Sequence, residues 1–277
     1  MLKRLIKHIS KGLNQRRKRH SPLLQTPFVD DKHFLFIGGL HRSGTTVLHQ
    51  LLREHPLASG FDDTGAPRDE GQHLQSVIPT AHAYGGAGDF AFYPAAHLTE
   101  SSELISPDSR DILLKEWGAY YDLQKQILLE KSPPNLIRSR FFRQLLPNSS
   151  FVFIVRHPIA VSLATEKWSK RSITERLLHW HTAESIMLDD IRALSDCLVI
   201  RYEDFVTDPQ AYLDEICRML SISGFMPQTE VVNHNEKYFS LWEQRHASDL
   251  ETLKAVLPAT CITLEEFGYT LDGPYIK

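Results

Sequence analysis

The sequence predicts an α/β fold of three layers, with a central parallel sheet flanked by helices. Short apolar runs alternate with longer amphipathic stretches. The runs are continuous rather than alternating, as in parallel strands buried on both faces. One of them opens directly into a glycine-bearing turn followed by a helical pattern. The chain has 277 residues, 42% apolar and 23% charged, an ordinary composition for a globular protein. Its length suits one large domain, placed at 26–277 behind a basic tail at 1–25.

The tail comes first. Residues 1–20 hold eight Lys/Arg and no acid, and Leu2, Leu5, Ile6, Ile9 and Leu13 recur at helical spacing. That pattern fits a solvated tail or an amphipathic helix making peripheral contact with an anionic membrane. It lacks the long apolar core of a signal peptide. The rest of the chain carries 23 basic against 34 acidic residues, a net of −11, which argues against nucleic acid as a partner. No stretch approaches the ~18 apolar residues of a membrane span. Cys197, Cys217 and Cys261 are odd in number and form no CxxC pair, which points to a reducing, cytoplasmic setting, with membrane association if the tail docks.

After Ser21-Pro22 and Thr26-Pro27, strands are expected at 34–37, 127–129, 151–155 and 198–200. Helices are expected from the Val47, Leu48, Leu51, Leu52 stripe ended by Pro56, over 174–194, and over 209–220 with Pro209 at the first helical position. Between 59 and 109 the chain is rich in Gly, Pro, His and Asp and reads as a long irregular insertion.

The segment from Phe34 to Thr46 carries the most chemistry. Gly39 and Gly44 have the G-x₄-G spacing of a phosphate-cradling loop between a strand and a helix. Such a loop turns backbone N–H groups inward, and the helix N-terminus favours an anion. Arg42 adds a charged donor fork, and Ser43, Thr45 and Thr46 add hydroxyls. Thr45 stands where a nucleotide-hydrolysing loop carries lysine, so a magnesium–triphosphate arrangement is not expected.

Leu40-His41-Arg42-Ser43-Gly44-Thr45-Thr46 resembles the 5′-phosphosulfate loop of sulfotransferases that use 3′-phosphoadenosine 5′-phosphosulfate (PAPS). Arginine before Ser-Gly-Thr-Thr is similar to tyrosylprotein sulfotransferases and many bacterial members. Three more segments follow in the family's order. Glu130-Lys131-Ser132-Pro133 resembles the strand end whose lysine sits near the transferring sulfuryl group. The strand ending Arg156-His157-Pro158 resembles the 3′-phosphate segment, and Arg201-Tyr202-Glu203-Asp204 resembles a strand end that closes the nucleotide site. The resemblance spans about 34–220 and implies a P-loop-like fold. It implies PAPS as co-substrate and an acceptor bearing a hydroxyl or amine. The implied nucleotide-binding residues are His41, Arg42, Ser43, Gly44, Thr45, Thr46, Arg156, Ser162 and Tyr202. The family's 3′-phosphate serine falls at Ala164 here. Ser162 is the nearest serine, about 200° away around a helix, and Thr165 and Lys167 are the other candidates.

Sulfuryl transfer needs charge stabilisation, which the resemblance assigns to Arg42 and Lys131, and a general base. Glu70 is the preferred base. His73, Asp63 and His41 are the alternatives, with Asp62 and Asp69 nearby in sequence. No metal-ligand spacing is present. His179-Trp180-His181 reads as packing, as do Trp168, Trp180 and Trp242, though Trp168 is placed to stack on adenine. Asn235-Glu236-Lys237-Tyr238 could form a C-terminal lid, and Tyr84, Phe90, Phe92 and Tyr93 an apolar acceptor wall. Two rival readings share the motifs: a P-loop kinase of a small molecule, and a non-catalytic membrane-associated binding module of the same fold.

Overall fold

The computed structural model describes residues 31–246, 251, 254–255, 262–273 and 275–276; the tail at 1–25 and Cys261 lie outside them. Strand β1 (His33–Gly38) leads into α1 (Thr45–Arg53) and then β2 (Ala58–Gly60). After a stretch of short turns come α2 (Pro107–Gly118), β3 (Ile127–Lys131), α3 (Ser139–Leu145) and β4 (Ser149–Val155). The chain continues through α4 (Pro158–Thr165), α5 (Ile173–Ile191), β5 (Cys197–Arg201), α6 (Tyr202–Thr207) and α7 (Pro209–Met219). Helices α8 (Glu236–His246) and α9 (Ile262–Glu266) follow.

The five strands pair in parallel in the order β2-β3-β1-β4-β5. Strand β1 is central, with Leu35 opposite Leu129 and Phe36 opposite Phe151. Its alternate side chains enter different cores. Phe34 and Phe36 pack with Trp117, Phe142 and Phe151 on one face. Leu35 and Ile37 pack with Leu48, Leu51 and Leu213 on the other. Burial on both faces explains why the run is continuous, and gives the three layers expected.

The four expected strands form, each longer by one residue or more. Strand β2, Ala-Ser-Gly, was not expected, because three small residues make no apolar run; its pairing with β3 creates it. Helix α1 stops at Arg53, short of Pro56. A capping box fixes the start of α5: Ser172 Oγ accepts from Glu175 N at 3.2 Å, and Glu175 Oε2 accepts from Ser172 N at 2.8 Å.

The segment 59–109 is built of 3₁₀ turns at Pro67–Asp69, Gly71–His73, Ala81–Tyr84, Phe90–Phe92 and Pro94–Ala96. Side chains stitch it to the body. Phe61 and Phe90 are fully buried. His179 on α5 accepts from Ala91 N at 3.1 Å, and His97 meets Asp190 at 2.9 Å. Burial holds His179 neutral, at about 3. Here His179 and Trp180 do pack, whereas Trp168 is 47% exposed.

Helix α5 also buries a carboxyl without a partner. Glu184 is fully buried and neither carboxyl oxygen is hydrogen-bonded. Burial pushes its pKa well above the ordinary carboxylate range. Glu184→Met removes an unsatisfied buried polar group, and should stabilise the fold by about 1–3 kcal/mol. Calorimetry checks this: an unchanged or lower Tm would mean that the carboxyl has a partner.

Candidate active site

The loop between β1 and α1 is held by its backbone. Ser43 N donates to Leu40 O at 3.0 Å, closing a turn that puts Arg42 at φ 74°. Gly44 follows at φ 106°, and a Cβ there would lie 2.7 Å from the Tyr202 ring. Only glycine fits both the dihedral and the approach. No side chain caps α1, which leaves the N–H groups of its first turn facing outward. The loop therefore presents backbone donors and the exposed Arg42 side chain to an anion.

Arg156, at the end of β4, is buried beside this loop. Its Nη1 donates to Arg42 O at 2.8 Å and its Nε to Asn235 Oδ1 at 2.7 Å. The guanidinium lies 4.3 Å over the Tyr202 ring. Asn235 Nδ2 donates to Glu203 Oε1 at 2.5 Å, and Tyr269 OH to Glu203 Oε2 at 2.5 Å. Glu203 thus ties the C-terminal segments to Arg156. Burial lowers the Arg156 pKa, and Nη2 has no partner. The Ser162 hydroxyl on α4 is likewise buried and unpartnered. Thr165 spends its hydroxyl on Val161 O and Ser162 O, at 2.9 and 3.2 Å. Lys167 lies exposed over the Trp168 ring, 4.4 Å away. Of the two hydroxyls considered for the Ala164 position, Ser162 keeps the uncommitted one.

Across the cavity, Lys131 ends β3 with no exposed surface. Its Nζ donates to Arg68 O at 2.8 Å and lies 3.5 Å from Glu70 Oε1. Burial lowers the Lys131 pKa, and Glu70 opposes that shift. Glu70 also accepts from Gln72 Nε2 at 2.6 Å, and His73 Nε2 stands 3.8 Å from it. His73 is pushed down, first by burial. His41 is lowered to about 4 by burial, with Glu70 opposing, so it is neutral near pH 7.

These groups share one cavity of about 770 Å³. His41, Arg42, Gly44, Thr45, Thr46, Glu70, His73, Arg156 and Tyr202 line it, while Ser43, Lys131 and Ser162 are buried and are not among its lining residues. Asp63 and Asp62 do not belong to it. Asp62 pairs with Arg53, Asp63 is exposed, and Asp69 accepts from Thr64 N and Oγ1. The expected aromatic wall does not form either. Phe90 is buried in the core, Tyr84 lies tilted against Tyr93, and Ala81, His82, Gly85 and Gly86 line the cavity instead. Trp168, expected to pack or to stack on adenine, lines the cavity with Arg42 5.6 Å from its ring. Gln72, His82 and His234 also reach the site and were not anticipated. Gln72 lies two residues after Glu70, but nothing in its spacing shows that its amide folds back. Among the described residues no group of three or more His, Cys, Asp or Glu is arranged to hold a metal ion.

Residues 35–227 match the sulfotransferase family, and the chain belongs to it. It is 25% identical over 226 residues to protein-tyrosine sulfotransferase 1 of Danio rerio, covering 77% of this chain and 59% of that protein. It is 26% identical over 214 residues to protein-tyrosine sulfotransferase 2 of Gallus gallus, covering 73% and 54%. The chain therefore spans between half and two thirds of these relatives' length. Its fold is shared with the sulfotransferase domain of a Synechococcus olefin synthase, at TM-score 0.50, 21% identity, and coverage of 92% of this chain and 100% of that one. A Mycobacterium avium sulfotransferase matches at TM-score 0.51 and 15% identity, with 89% and 80% covered.

Proposed function

We propose that this chain moves the sulfuryl group of PAPS to an acceptor hydroxyl or amine and releases adenosine 3′,5′-bisphosphate. One observation carries the reading. A single cavity joins an anion-binding loop to a carboxylate, Glu70, held against a buried lysine. The residues present suit the nucleotide. Arg156 Nη2 and the hydroxyls of Ser43 and Ser162 are buried donors without partners, an unusual state for buried polar groups. Arg156 and Ser162 would hold the 3′-phosphate. Arg42, Ser43 and the N–H groups of Gly44, Thr45 and Thr46 would hold the 5′-phosphosulfate, with Trp168 and Tyr202 beside the nucleoside. PAPS supplies the sulfuryl group, which passes from a 5′-phosphate oxygen to the acceptor atom. Glu70 takes the acceptor's proton on a carboxylate oxygen, Lys131 offsets charge on the sulfuryl oxygens, and Arg42 offsets charge on the leaving phosphate. Pairing of Glu70 with Lys131 favours an enzyme over a binding module, since a module needs no base. The relatives' names specify protein tyrosine, which supports a hydroxyl-bearing acceptor. The unpaired thiols Cys197 and Cys217 support a reducing, cytoplasmic setting. The basic segment 1–20 would supply any peripheral membrane contact.

Ligand-induced stabilisation tests the nucleotide site. Adenosine 3′,5′-bisphosphate at ~100 times its Kd should add ~2.7 kcal/mol, a clear rise in Tm, and AMP at the same concentration far less. Equal shifts would remove the 3′-phosphate site at Arg156.

A further inference from the structure

Glu130 precedes Lys131 on β3, is 1% exposed, and takes no part in the chemistry above. A buried carboxyl among apolar neighbours is costly unless its bonds are made. Here they are. Ser132 Oγ donates to Glu130 Oε1 at 2.5 Å, and Asn135 Nδ2 donates to Oε2. Asn135 Nδ2 also donates to Ile37 O at 3.1 Å, in the strand that carries the anion-binding loop. Ser132 Oγ in turn accepts from Gln72 N at 3.0 Å. A Cβ at Gly71 would lie 2.4 Å from Glu130 Oε1, so glycine is needed for this approach. Trp117 Nε1 donates to Gly71 O at 3.0 Å and pins the other side.

The Gln72 side chain completes the path. Its Nε2 donates to Glu70 Oε2 at 2.6 Å and its Oε1 accepts from Ala81 N at 2.8 Å. Gln72 therefore fixes one oxygen of Glu70 while the other faces Lys131, and it joins that carboxylate to the 81–86 wall of the cavity.

We propose that Glu130 is a positioning residue: acting through Ser132 and Gln72, it holds the Glu70 carboxylate against Lys131 and in register with the anion-binding loop. The inference rests on the sulfotransferase reading of the cavity. Charged and titratable groups around Glu130 are Lys131 on its own strand, Glu70 on the facing turn, Arg138 after β3 and Tyr121 before it. Burial raises Glu130 to about 7, against the pull of Ser132, Asn135 and Lys131. A protonated Glu130 must donate where Ser132 or Asn135 now donates, so the relay loosens as pH falls through this value.

Glu130→Gln and Gln72→Met test the relay, read with adenosine 3′,5′-bisphosphate and 4-nitrophenyl sulfate: a 5′-phosphate oxygen of the bisphosphate takes the sulfuryl group to form PAPS, and the aryl oxygen–sulfur bond breaks to release 4-nitrophenolate. Both variants should lower kcat by ~10–100-fold with bisphosphate Kd changed by less than ~3-fold, the signature of misplacement rather than lost binding. In Glu130→Gln the fall of activity toward acid pH should lose its inflection near 7. The ligand-free protein gives a second readout. Folded Glu130 titrates above its unfolded value of 4.5, so wild-type stability relative to Glu130→Gln should fall as pH rises from 4.5 to about 7. If Glu130→Gln loses bisphosphate binding along with turnover, the carboxyl serves the fold and the proposal is wrong. If either variant matches wild type at every pH, the relay does not act on Glu70. A wild-type protein that neither binds the bisphosphate nor releases nitrophenol would instead sink the sulfotransferase reading itself.

Discussion

Glu70→Gln should lower turnover by ~10²–10⁴, the usual contribution of a general base, and leave bisphosphate binding intact. Glutamine keeps the shape and the hydrogen bond from Gln72, but removes the carboxylate. Binding survives because the groups assigned to the nucleotide, Arg156 and the loop at 41–46, hold one another: Arg156 Nη1 donates to Arg42 O, and Asn235 accepts from Arg156 Nε. Asp63→Asn is the control. It lies outside the cavity and should leave kcat unchanged. His73, 3.8 Å from Glu70 and lowered by burial, is the competitor for the role. Loss of turnover in His73→Ala with wild-type activity in Glu70→Gln would make the histidine the base. Steady-state kinetics with bisphosphate titration in parallel separates these outcomes.

The loop half of the candidate site was legible in the sequence because it is local. A strand, a turn with two glycines and the start of a helix lie within fourteen consecutive residues, 33–46, and their order alone sets the loop's shape. Arg156 and Lys131 were legible for a related reason: each ends a parallel strand, and strand ends gather at one edge of such a sheet. The base side was not decidable from spacing. Glu70, His73 and Asp63 lie within eleven residues of one another, in a segment without periodicity. Contacts from far along the chain decide which of them face the cavity: Gly71 against Glu130, Trp117 on Gly71 O, and His179 on Ala91 N. Those partners lie 46 residues or more away in sequence for the last two, beyond the reach of any pattern. The aromatic wall failed for the same reason. Phe90 answers to the core beneath it rather than to the cavity. The Ala164 question also needed coordinates, because it turned on which hydroxyls are already spent: Thr165 bonds its own helix, and Ser162 does not.

Arg42→Ala should cost turnover ~10²–10³, the scale of losing one preorganised donor to developing charge. Arg42 is exposed and makes no ion pair among the described residues. Its left-handed backbone, φ 74°, is a strained state for a residue with a side chain, and the turn's Ser43–Leu40 hydrogen bond holds it there. Alanine inherits the same strain and keeps the carbonyl that anchors Arg156, so the nucleotide site should persist. The loss then falls on kcat more than on bisphosphate affinity. Arg42→Lys restores a point charge without the planar fork and should recover part of the rate. Wild-type kcat in Arg42→Ala would take the leaving-phosphate charge away from this loop. A parallel collapse of bisphosphate binding would mean that the side chain, not the backbone, builds the anion site.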